Sequence, residues 1–339
     1  MKKEGYLIGR DTVSLIVFAT IYLGTLIPAG VLAQKAPRVI RLENNPIIRP
    51  AMLAGNDGEN INGPSLIRVP DWVENPLGRY YLYFAHHVGQ YIRLAYSDTL
   101  TGPWTIFEPG VLRLEETVCD DPENLESDKH VASPDVIVDR ATRQIRLYYH
   151  CLVYPASLPE EQGSWGQRSL VATSSDGIQF ETRDDYLGYS YFRVFRWQES
   201  FYALGMPGIF YRSANGMDGF EKGPTLFNND MRHTAVTVRD STLYVFYTIV
   251  GENPERIMLS TINLSPDWMA WKETPPVVVL EPEMEWEGAY LPAVPSERGF
   301  AKGKVRQLRD PALFEENGRT YLLYSVAGES GIAIAEIIW

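Results

Sequence analysis

A repeat of short strands restricts the fold of this chain more than any other feature. Runs rich in Tyr, Val, Ile and Phe recur after residue 60, and each is bounded by Gly, Pro, Asn or Asp, which is the pattern of β-strands separated by turns. No long segment beyond that point has helical periodicity. Five equivalent runs occupy 80–84, 145–149, 200–204, 243–247 and 320–324. We interpret them as the second strands of a repeating unit.

Each second strand lies between two further predicted strands. The inner strands fall at 65–69, 135–138, 191–195, 234–238 and 312–315, and the third strands at 92–97, 169–174, 208–213, 257–261 and 331–336. Five copies of a roughly four-stranded antiparallel unit predict an all-β fold, a five-bladed β-propeller. A β-sandwich is the alternative, but it does not account for the repeated order of strands.

The spacing between the predicted inner strands is irregular. It indicates long insertions at 115–130, 154–167 and 265–308, and insertions of this size often shape a site. A propeller must also close its ring, because an open one leaves unpaired edge strands. We expect the segment near 45–51 to pair with the last blade.

The N-terminal segment has the pattern of a secretory signal. Lys2, Lys3 and Arg10 precede an apolar run at 13–27, and small residues follow up to Ala33. An uncleaved membrane anchor is the alternative, but the run is short for a full span. The sequence therefore predicts a signal peptide that is cleaved after Ala33, and a protein that works in the periplasm or outside the cell.

Composition agrees with one globular domain after the signal, and we predict a signal peptide at 1–33 and a single propeller at 34–339. The chain has 339 residues, 45% hydrophobic and 22% charged. Its net charge is −12, from 31 Lys+Arg and 43 Asp+Glu, and no basic cluster is present. This charge argues against nucleic acid or an anionic membrane surface as the partner.

Cys119 and Cys151 are the only two cysteines. In an oxidising compartment they are candidates for a disulfide, and two buried free thiols are the alternative. No CxxC or Cys/His grouping has the spacing of a structural zinc site.

Propeller geometry brings two sets of residues to one mouth of the axial channel. Each inner strand starts at this mouth, and the hairpin between the second and third strands returns to it. The strand starts are Asn62-Gly63-Pro64, Ser133-Pro134-Asp135, Phe192-Arg193, Arg232-His233 and Arg309-Asp310-Pro311, and the hairpins are His86-His87, His150-Cys151, Gly205-Met206-Pro207, Gly251-Glu252 and Gly328-Glu329-Ser330. This convergence predicts a polar site on the axis.

Three motifs carry a resemblance to a known group of enzymes, two of them strand starts and the third a turn in the first blade. Ser133-Pro134-Asp135, Arg309-Asp310-Pro311 and the turn from Ser97-Asp98 to Gly102-Pro103-Trp104 resemble the five-bladed glycoside hydrolases of families 43 and 117, with the furanosidase families 32 and 62 behind them. The resemblance covers most of residues 45 to 339. It implies hydrolysis of a glycosidic bond by two carboxyl groups, which stand roughly 6.5–9.5 Å apart if the enzyme inverts configuration.

The resemblance implies roles for three acidic residues. Asp310 matches the position of the general base, and Asp135 matches the position that orients or tunes the acid. We take Glu287 as the general acid because Trp286 and Tyr290 flank it, where they would stack on a sugar and desolvate the carboxyl group. A solvated loop is the alternative for this segment.

The chain departs from the family pattern in its first blade, where Asn62-Gly63-Pro64 stands in place of an acid. The base then comes from the fifth blade, or from Asp57 or Glu59, or hydrolysis is lost. Because a histidine has been proposed as the acid in family 117, the resemblance also admits a histidine here, and the candidates are His87, His130 and His233.

Further residues are predicted to bind the substrate. Arg193, Arg232 and Arg309 are suited to sugar hydroxyls or a carboxylate, and pairing with Asp135 and Asp310 is the alternative. The full predicted binding set is His86, His87, His130, Arg193, Arg232, His233, Arg309, Trp286 and Tyr290. We expect no required cofactor. A calcium or sodium ion on the axis near His233 is possible by analogy with family relatives, although the sequence lacks a run of acidic ligands.

The leading interpretation is an exported glycoside hydrolase, exo-acting and inverting, whose substrate is an oligosaccharide or polysaccharide. A non-catalytic sugar-binding propeller and a polysaccharide lyase are the alternatives. The hydrolase needs two opposed carboxyl groups in the pocket, and the binding protein would show one. The lyase predicts a pocket dominated by Arg, His and Tyr. Fold alone does not decide among them.

Overall fold

Five antiparallel sheets surround one axis in the computed structural model, which describes Met1 and residues 35–120, 129–153 and 166–339. Their innermost strands contact one another in ring order, from the first blade to the fifth and back to the first. The five-bladed β-propeller is therefore confirmed. The predicted signal peptide lies outside the described residues.

The strands of each blade follow one another in the chain. The first blade holds β2 (Asn62–Arg68), β3 (Tyr80–Ala85), β4 (Tyr91–Ser97) and β5 (Thr105–Arg113), and the second blade holds β6 (Val131–Asp139), β7 (Gln144–Val153), β8 (Gly166–Ser174), β9 (Glu181–Thr182) and β10 (Gly188–Tyr189). The third blade holds β11 (Arg193–Trp197), β12 (Ser200–Gly205), β13 (Ile209–Ser213) and β14 (Glu221–Thr225), and the fourth blade holds β15 (Met231–Arg239), β16 (Thr242–Ile249), β17 (Ile257–Asn263) and β18 (Val277–Leu280). The fifth blade holds β19 (Arg309–Glu316), β20 (Arg319–Ser325), β21 (Ile332–Ile338) and β1 (Arg38–Arg41).

The core lies between the blades. The Tyr-rich second strands are buried because both faces of each sheet pack against a neighbouring blade, as Tyr81 and Tyr83 do between the first and second blades. Cys119 and Cys151 lie in the same cluster and form a disulfide, with their Cα atoms 6.1 Å apart. Of the two alternatives that the sequence left open, the structure thus contains the disulfide.

The helices of the described residues are short 3₁₀ turns in the loops. They occupy Pro50–Met52, Gly55–Gly58, Leu114–Glu116, Trp268–Ala270 and Glu285–Glu287. In this part of the chain we find no helix with the length and apolar character that crossing a membrane requires. The predicted insertion at 265–308 contains β18 and a long loop, while much of the other two predicted insertions lies outside the described residues.

Strand β1 closes the ring. It pairs antiparallel with β21, from Arg38 opposite Ile338 to Arg41 opposite Ala335. Closure through the last blade was predicted, but the pairing strand lies earlier in the chain than the predicted segment near 45–51. That segment adds a single bridge, from Ile48 to Ile332.

A buried ion pair fastens the closing strand to the long fourth-to-fifth loop. Glu287 is fully buried, and its carboxylate accepts two hydrogen bonds from Arg41, at 2.8 and 2.9 Å, and one from the hydroxyl of Tyr324, at 2.9 Å. The backbone N–H groups of Glu283 and Met284 donate two more. These donors hold the buried carboxyl group in place.

Loss of this pair should destabilise the closed ring. Arg41→Met leaves Glu287 buried without its counter-charge, and removing one partner of such a pair costs about 3–5 kcal/mol. Urea denaturation should show this decrease in the free energy of unfolding. Arg38→Met is the matched control, since Arg38 is exposed on the same strand and its loss should change stability by about 0.5 kcal/mol or less. Equal effects of the two substitutions would contradict the role of the pair.

Candidate functional site

The inner strands of all five blades start at the axis with a residue in the left-handed conformation. These residues are Gly63, Ser133, Tyr191, His233 and Asp310, with φ between 47° and 64°. The pairing register shifts at this point in the first, second, fourth and fifth blades. Only glycine adopts this conformation readily, so the four other side chains are held there by their surroundings, as is frequent at functional sites.

These strand starts meet at a cavity of about 240 Å³, which we call the axial cavity. It is lined by Asn62, His87, Ala132, Ser133, His150, Gln167, Tyr191, Met206, Arg232, His233, Arg298 and Gly299. Residues from the strand starts and from the second-to-third hairpins thus lie at one mouth of the axial channel. The reason is that the start of each inner strand and the hairpin between the second and third strands lie on the same face of the propeller.

Asp310 lies beside the axial cavity, behind Tyr191 and His233. Its Oδ1 accepts a hydrogen bond of 2.8 Å from the Tyr191 hydroxyl and lies 3.7 Å from Nε2 of His233. Its Oδ2 is buried and makes no hydrogen bond within the described residues, although the Ser325 hydroxyl is close. Burial, and then the negative charge of Glu329, raise the pKa of Asp310 to about 6. The carboxyl group therefore exchanges its proton near neutral pH.

Histidines and Tyr191 form an arc around the same cavity. The ring centroids of His87, His130, His150, Tyr191 and His233 follow one another at 6.4, 5.7, 5.2 and 5.1 Å. Burial lowers the pKa of His87, and it lowers the pKa values of His150 and His233 well below the ordinary value. His150 and His233 are thus neutral at pH 7, where they accept as well as donate protons.

A network of buried charges lies beneath the arc. Arg232 donates two hydrogen bonds to Glu255, at 2.9 and 2.6 Å. Arg309 donates to Glu329 at 2.8 Å and lies 3.1 Å from Glu255. Both arginines also hold the carbonyl of Gly299, at 3.2 and 3.1 Å. The two arginines are therefore paired with glutamates, rather than with the aspartates that the sequence suggested as their partners.

Glu329 connects this network to His87. Its Oε2 accepts hydrogen bonds from the side chains of Asn60 and Asn62 and lies 3.7 Å from Nδ1 of His87. Although burial alone raises the pKa of Glu329, the charges of His87 and Arg309 and the two amide donors lower it overall. The ionised carboxylate in turn favours a proton on His87 and opposes the effect of burial on that ring.

A second cavity of about 500 Å³ adjoins the first, and we call it the entrance cavity. His87 lines both cavities, and the adjacent residues Gly299 and Phe300 line one each. The residues of the entrance cavity are Pro50, Gly58, Glu59, Asn60, His86, His87, Val88, Phe300, Ala301, Lys302, Gly303, Lys304 and Ser330. The two cavities together form a site with its narrow end on the axis.

Three predicted residues lie elsewhere. Glu287, expected as the general acid, lines neither cavity, because its carboxylate is buried against Arg41 on the closing strand. Asp135 joins two blades: its Oδ2 accepts a hydrogen bond of 2.9 Å from the N–H of Val194, and burial raises its pKa. Arg193 binds backbone carbonyls, among them that of Thr234 at 2.8 Å.

The aromatic residues expected next to the acid are also remote from both cavities. Trp286 packs in the core between the fourth and fifth blades, and Tyr290 is exposed on the loop surface. Sequence reasoning missed Tyr191, although it occupies the strand start of the third blade. Alignment on the residue before the strand, rather than on Phe192 and Arg193, would have found it. Among the described residues, no group of three or more His, Cys, Asp or Glu side chains is arranged to hold a metal ion.

Comparison with known sequences places the chain in a family. It is 36% identical over 330 residues to an uncharacterized protein of Acanthamoeba polyphaga mimivirus, and the match covers 88% of this chain and 90% of the viral protein. The chain belongs to the same family as that protein. No model of a protein family matches it.

Comparison with solved structures identifies the fold. An α-L-arabinofuranosidase from Lactobacillus brevis has a TM-score of 0.52 at 12% identity and is covered to 93%, against 87% of this chain. A family 43 β-xylosidase/α-arabinofuranosidase from a compost metagenome scores 0.52 at 13% identity, with coverage of 94% and 89%. An N-acetylgalactosamine deacetylase from F. plautii scores 0.53 at 12% identity, with coverage of 94% and 89%. The chain thus has the fold of family 43 and related five-bladed propeller enzymes.

The environment of Asp310 leads to a prediction about stability. Because its pKa rises from 3.8 to about 6 on folding, the folded state binds more protons in this interval, and the wild-type protein loses stability as the pH rises through it. Asp310→Asn keeps an acceptor for Tyr191 and does not titrate. Its stability relative to wild type should increase by about 2–3 kcal/mol between the two pKa values and stay constant above them.

Urea denaturation of both proteins over a pH series measures this difference. Tyr191→Phe removes a donor that lowers the pKa of Asp310, so its stability loss should extend to higher pH. A difference between Asp310→Asn and wild type that does not change with pH would show that the carboxyl group has an ordinary pKa.

Proposed function

We propose that this protein is an exported glycoside hydrolase that binds the terminal sugar of an oligosaccharide or polysaccharide in the axial cavity and removes it with inversion. The observation that carries the proposal is the pair formed by Asp310 and His87. A carboxyl group with a pKa of about 6, that of Asp310, lies behind the wall of the axial cavity and accepts a hydrogen bond from Tyr191, and the imidazole of His87 lines both cavities. Solved glycosidases with the same fold support it.

The sizes of the cavities favour exo-action. The axial cavity, at about 240 Å³, is smaller than the ~300–1,000 Å³ of most small-molecule pockets, so it suits one sugar ring. The entrance cavity is twice as large and has room for the rest of the chain. A glycosidic bond between sugars in the two cavities would pass His87, which lines both.

Asp310 acts as the general base in this proposal. It is almost fully buried, so it takes the proton through Tyr191: a water in the axial cavity gives a proton to the tyrosine oxygen as it attacks the anomeric carbon, and the Tyr191 hydroxyl proton passes to Asp310 Oδ1. The neutral ring of His233, whose Nε2 lies 3.7 Å from Oδ1, helps to fix the position of the carboxyl group. Inversion follows because the sugar forms no bond to the protein.

His87 acts as the general acid and replaces Glu287 in this role. Its imidazole gives a proton to the glycosidic oxygen as the bond to the anomeric carbon breaks, and the leaving sugar departs as an alcohol. Glu329, 3.7 Å from Nδ1, supports the protonated form. Since the base must be ionised and the acid protonated, and burial lowers the pKa of His87, kcat/KM should follow a narrow bell with its maximum at or below about pH 6.

Export is supported by two features. The N-terminal segment combines basic residues with a short apolar run, as secretory signals do. Cys119 and Cys151 form a disulfide, and disulfides are typical of proteins that work in oxidising compartments. The proposed site of action is the periplasm or the cell exterior.

Two substitutions separate the proposed roles. Asp310→Asn and His87→Gln should each lower kcat on a natural oligosaccharide by about 10²–10⁴-fold, the usual contribution of a general acid or base. On an aryl glycoside whose leaving group needs no proton, His87→Gln should regain most of its rate and Asp310→Asn should not. Asp71→Asn is the control because Asp71 is exposed and lines neither cavity, so its substitution should leave kcat unchanged. Full activity of both variants on a confirmed substrate would exclude this assignment.

A polysaccharide lyase is a second candidate, and the composition of the axial cavity favours it. Among the described residues no acidic side chain lines this cavity, since Asp310 lies behind Tyr191. Its polar lining consists of His, Tyr and Arg side chains together with Asn62, Ser133 and Gln167. In a lyase, Tyr191 or neutral His150 would remove the proton next to a uronate carboxylate and leave a double bond in the product. A binding propeller, the third alternative, would bind sugars and turn none over.

Product analysis decides between the two enzymes. A hydrolase incorporates oxygen from heavy-oxygen water into the new reducing end and gives saturated products. A lyase gives an unsaturated uronate that absorbs in the ultraviolet and takes up no label. With a uronate-containing polysaccharide we expect labelled, saturated product, and an unlabelled, absorbing product would replace the hydrolase by the lyase.

A further inference from the structure

The entrance cavity differs in charge from the rest of the protein. The chain carries 43 acidic and 31 basic residues, yet this cavity is lined by Lys302 and Lys304 with a single acidic side chain, that of Glu59. In the part of the chain that the structure describes, neither lysine forms an ion pair. Two ammonium groups beside one cavity favour a ligand with negative charge.

The segment that carries the lysines is fixed to the floor of the site. The carbonyl of Gly299 accepts hydrogen bonds from Arg232 and Arg309, and the N–H of Ala301 donates to Glu329 Oε1 at 3.2 Å. After the lysines, the N–H of Val305 donates to the carbonyl of Ala327 at 3.2 Å. The backbone is therefore anchored on both sides of the two lysines, so less of it has to be ordered when a ligand binds.

Apolar surface lies beside the two charges. Phe300 is 45% exposed and Val88 is 41% exposed, and both line the entrance cavity. The ring of Phe300 lies 5.3 Å from that of His87, at the junction with the axial cavity. An exposed aromatic face next to cationic groups suits a sugar ring that stacks through its C–H face and carries an anionic substituent.

We propose that the entrance cavity is a subsite for an anionic sugar residue, either a uronate or a sulfate ester, whose negative group is bound by Lys302 and Lys304. The inference deepens the proposed function: if the terminal sugar lies in the axial cavity, the anionic residue is its neighbour in the chain. The two anions share the chemistry that ammonium groups recognise, and lysine binds each as a point charge without a fixed geometry.

Binding to an inactive protein tests the subsite apart from catalysis. Calorimetry with the Asp310→Asn variant would use matched disaccharides: digalacturonate, a 6-sulfated galactobiose and neutral galactobiose. We expect an anionic disaccharide to bind at least about tenfold more tightly than the neutral one, and its affinity to fall with increasing salt. Whichever anion binds more tightly identifies the substituent.

Substitution of the two lysines is a second test of the subsite. Lys302→Gln with Lys304→Gln should lower the affinity for the anionic disaccharide by about tenfold and change that for the neutral one by about twofold or less. Lys272→Gln is the matched control, because Lys272 is exposed and lines neither cavity.

The outcomes separate this inference from the proposed function. Equal affinity for neutral and anionic disaccharides, or an undiminished affinity after the double substitution, overturns the anionic subsite. So does the absence of binding by both anionic compounds at millimolar concentration. Turnover of oligosaccharides by the wild-type enzyme, together with equal affinity for neutral and anionic disaccharides, would leave the hydrolase intact while excluding the subsite. Binding of the anionic compounds without turnover of any substrate would leave the subsite and exclude the hydrolase.

Discussion

The convergence of five inner strands on one axis is the constraint on which the rest of the structure depends. Each strand brings unpaired carbonyl and N–H groups into a narrow, water-poor space, and those groups need partners there. Arginines supply many of the donors: Arg193 binds carbonyls of neighbouring inner strands, and Arg232 and Arg309 bind the carbonyl of Gly299. Residues that look like ligands for a substrate carboxylate thus hold the strand starts together, and Glu255 and Glu329 balance their charge.

The same burial gives the site its chemistry. Removing water from around a charged group raises the pKa of an acid and lowers that of a histidine. At this axis the pKa of Asp310 is raised and the pKa values of His150 and His233 are lowered. Both changes favour the neutral form of the side chain. The result is one carboxyl group that titrates at about pH 6, beside imidazoles that are held in the neutral form. Among the described residues no carboxyl group lines the axial cavity itself, and Asp310 lies behind Tyr191, where the sequence predicted two opposed carboxyl groups.

Much of the fold was predictable from the sequence, because strand length, turn residues and fivefold repetition are local properties. The convergence of His87, His233 and Asp310 was predictable as well, since it follows from propeller topology alone. The inner strands of the first, second, fourth and fifth blades begin earlier than predicted, because residues such as Gly63, Ser133 and Asp310 interrupt the register without ending the strand. In a sequence, residues of these types predict a turn rather than a strand. In the third blade the inner strand begins later than predicted, at Arg193.

The place of Glu287 could not be predicted in the same way. Its neighbours Trp286 and Tyr290 suggested a sugar platform, but the partner that decides its position, Arg41, is 246 residues away in the chain. Long-range ion pairs leave no mark in local sequence. The importance of Tyr191 was hidden for a related reason, since its role depends on Asp310, a residue of another blade.

Pairing between β1 and β21 has a consequence for how the protein is made. During synthesis, β1 stays unpaired until β21 has left the ribosome, since Arg38 pairs with Ile338. Until then the fifth sheet lacks its outer strand, and Glu287 lacks its counter-charge from Arg41. A ribosome adds about 5–20 residues per second, so the nascent chain spends many seconds as an open ring with exposed sheet edges.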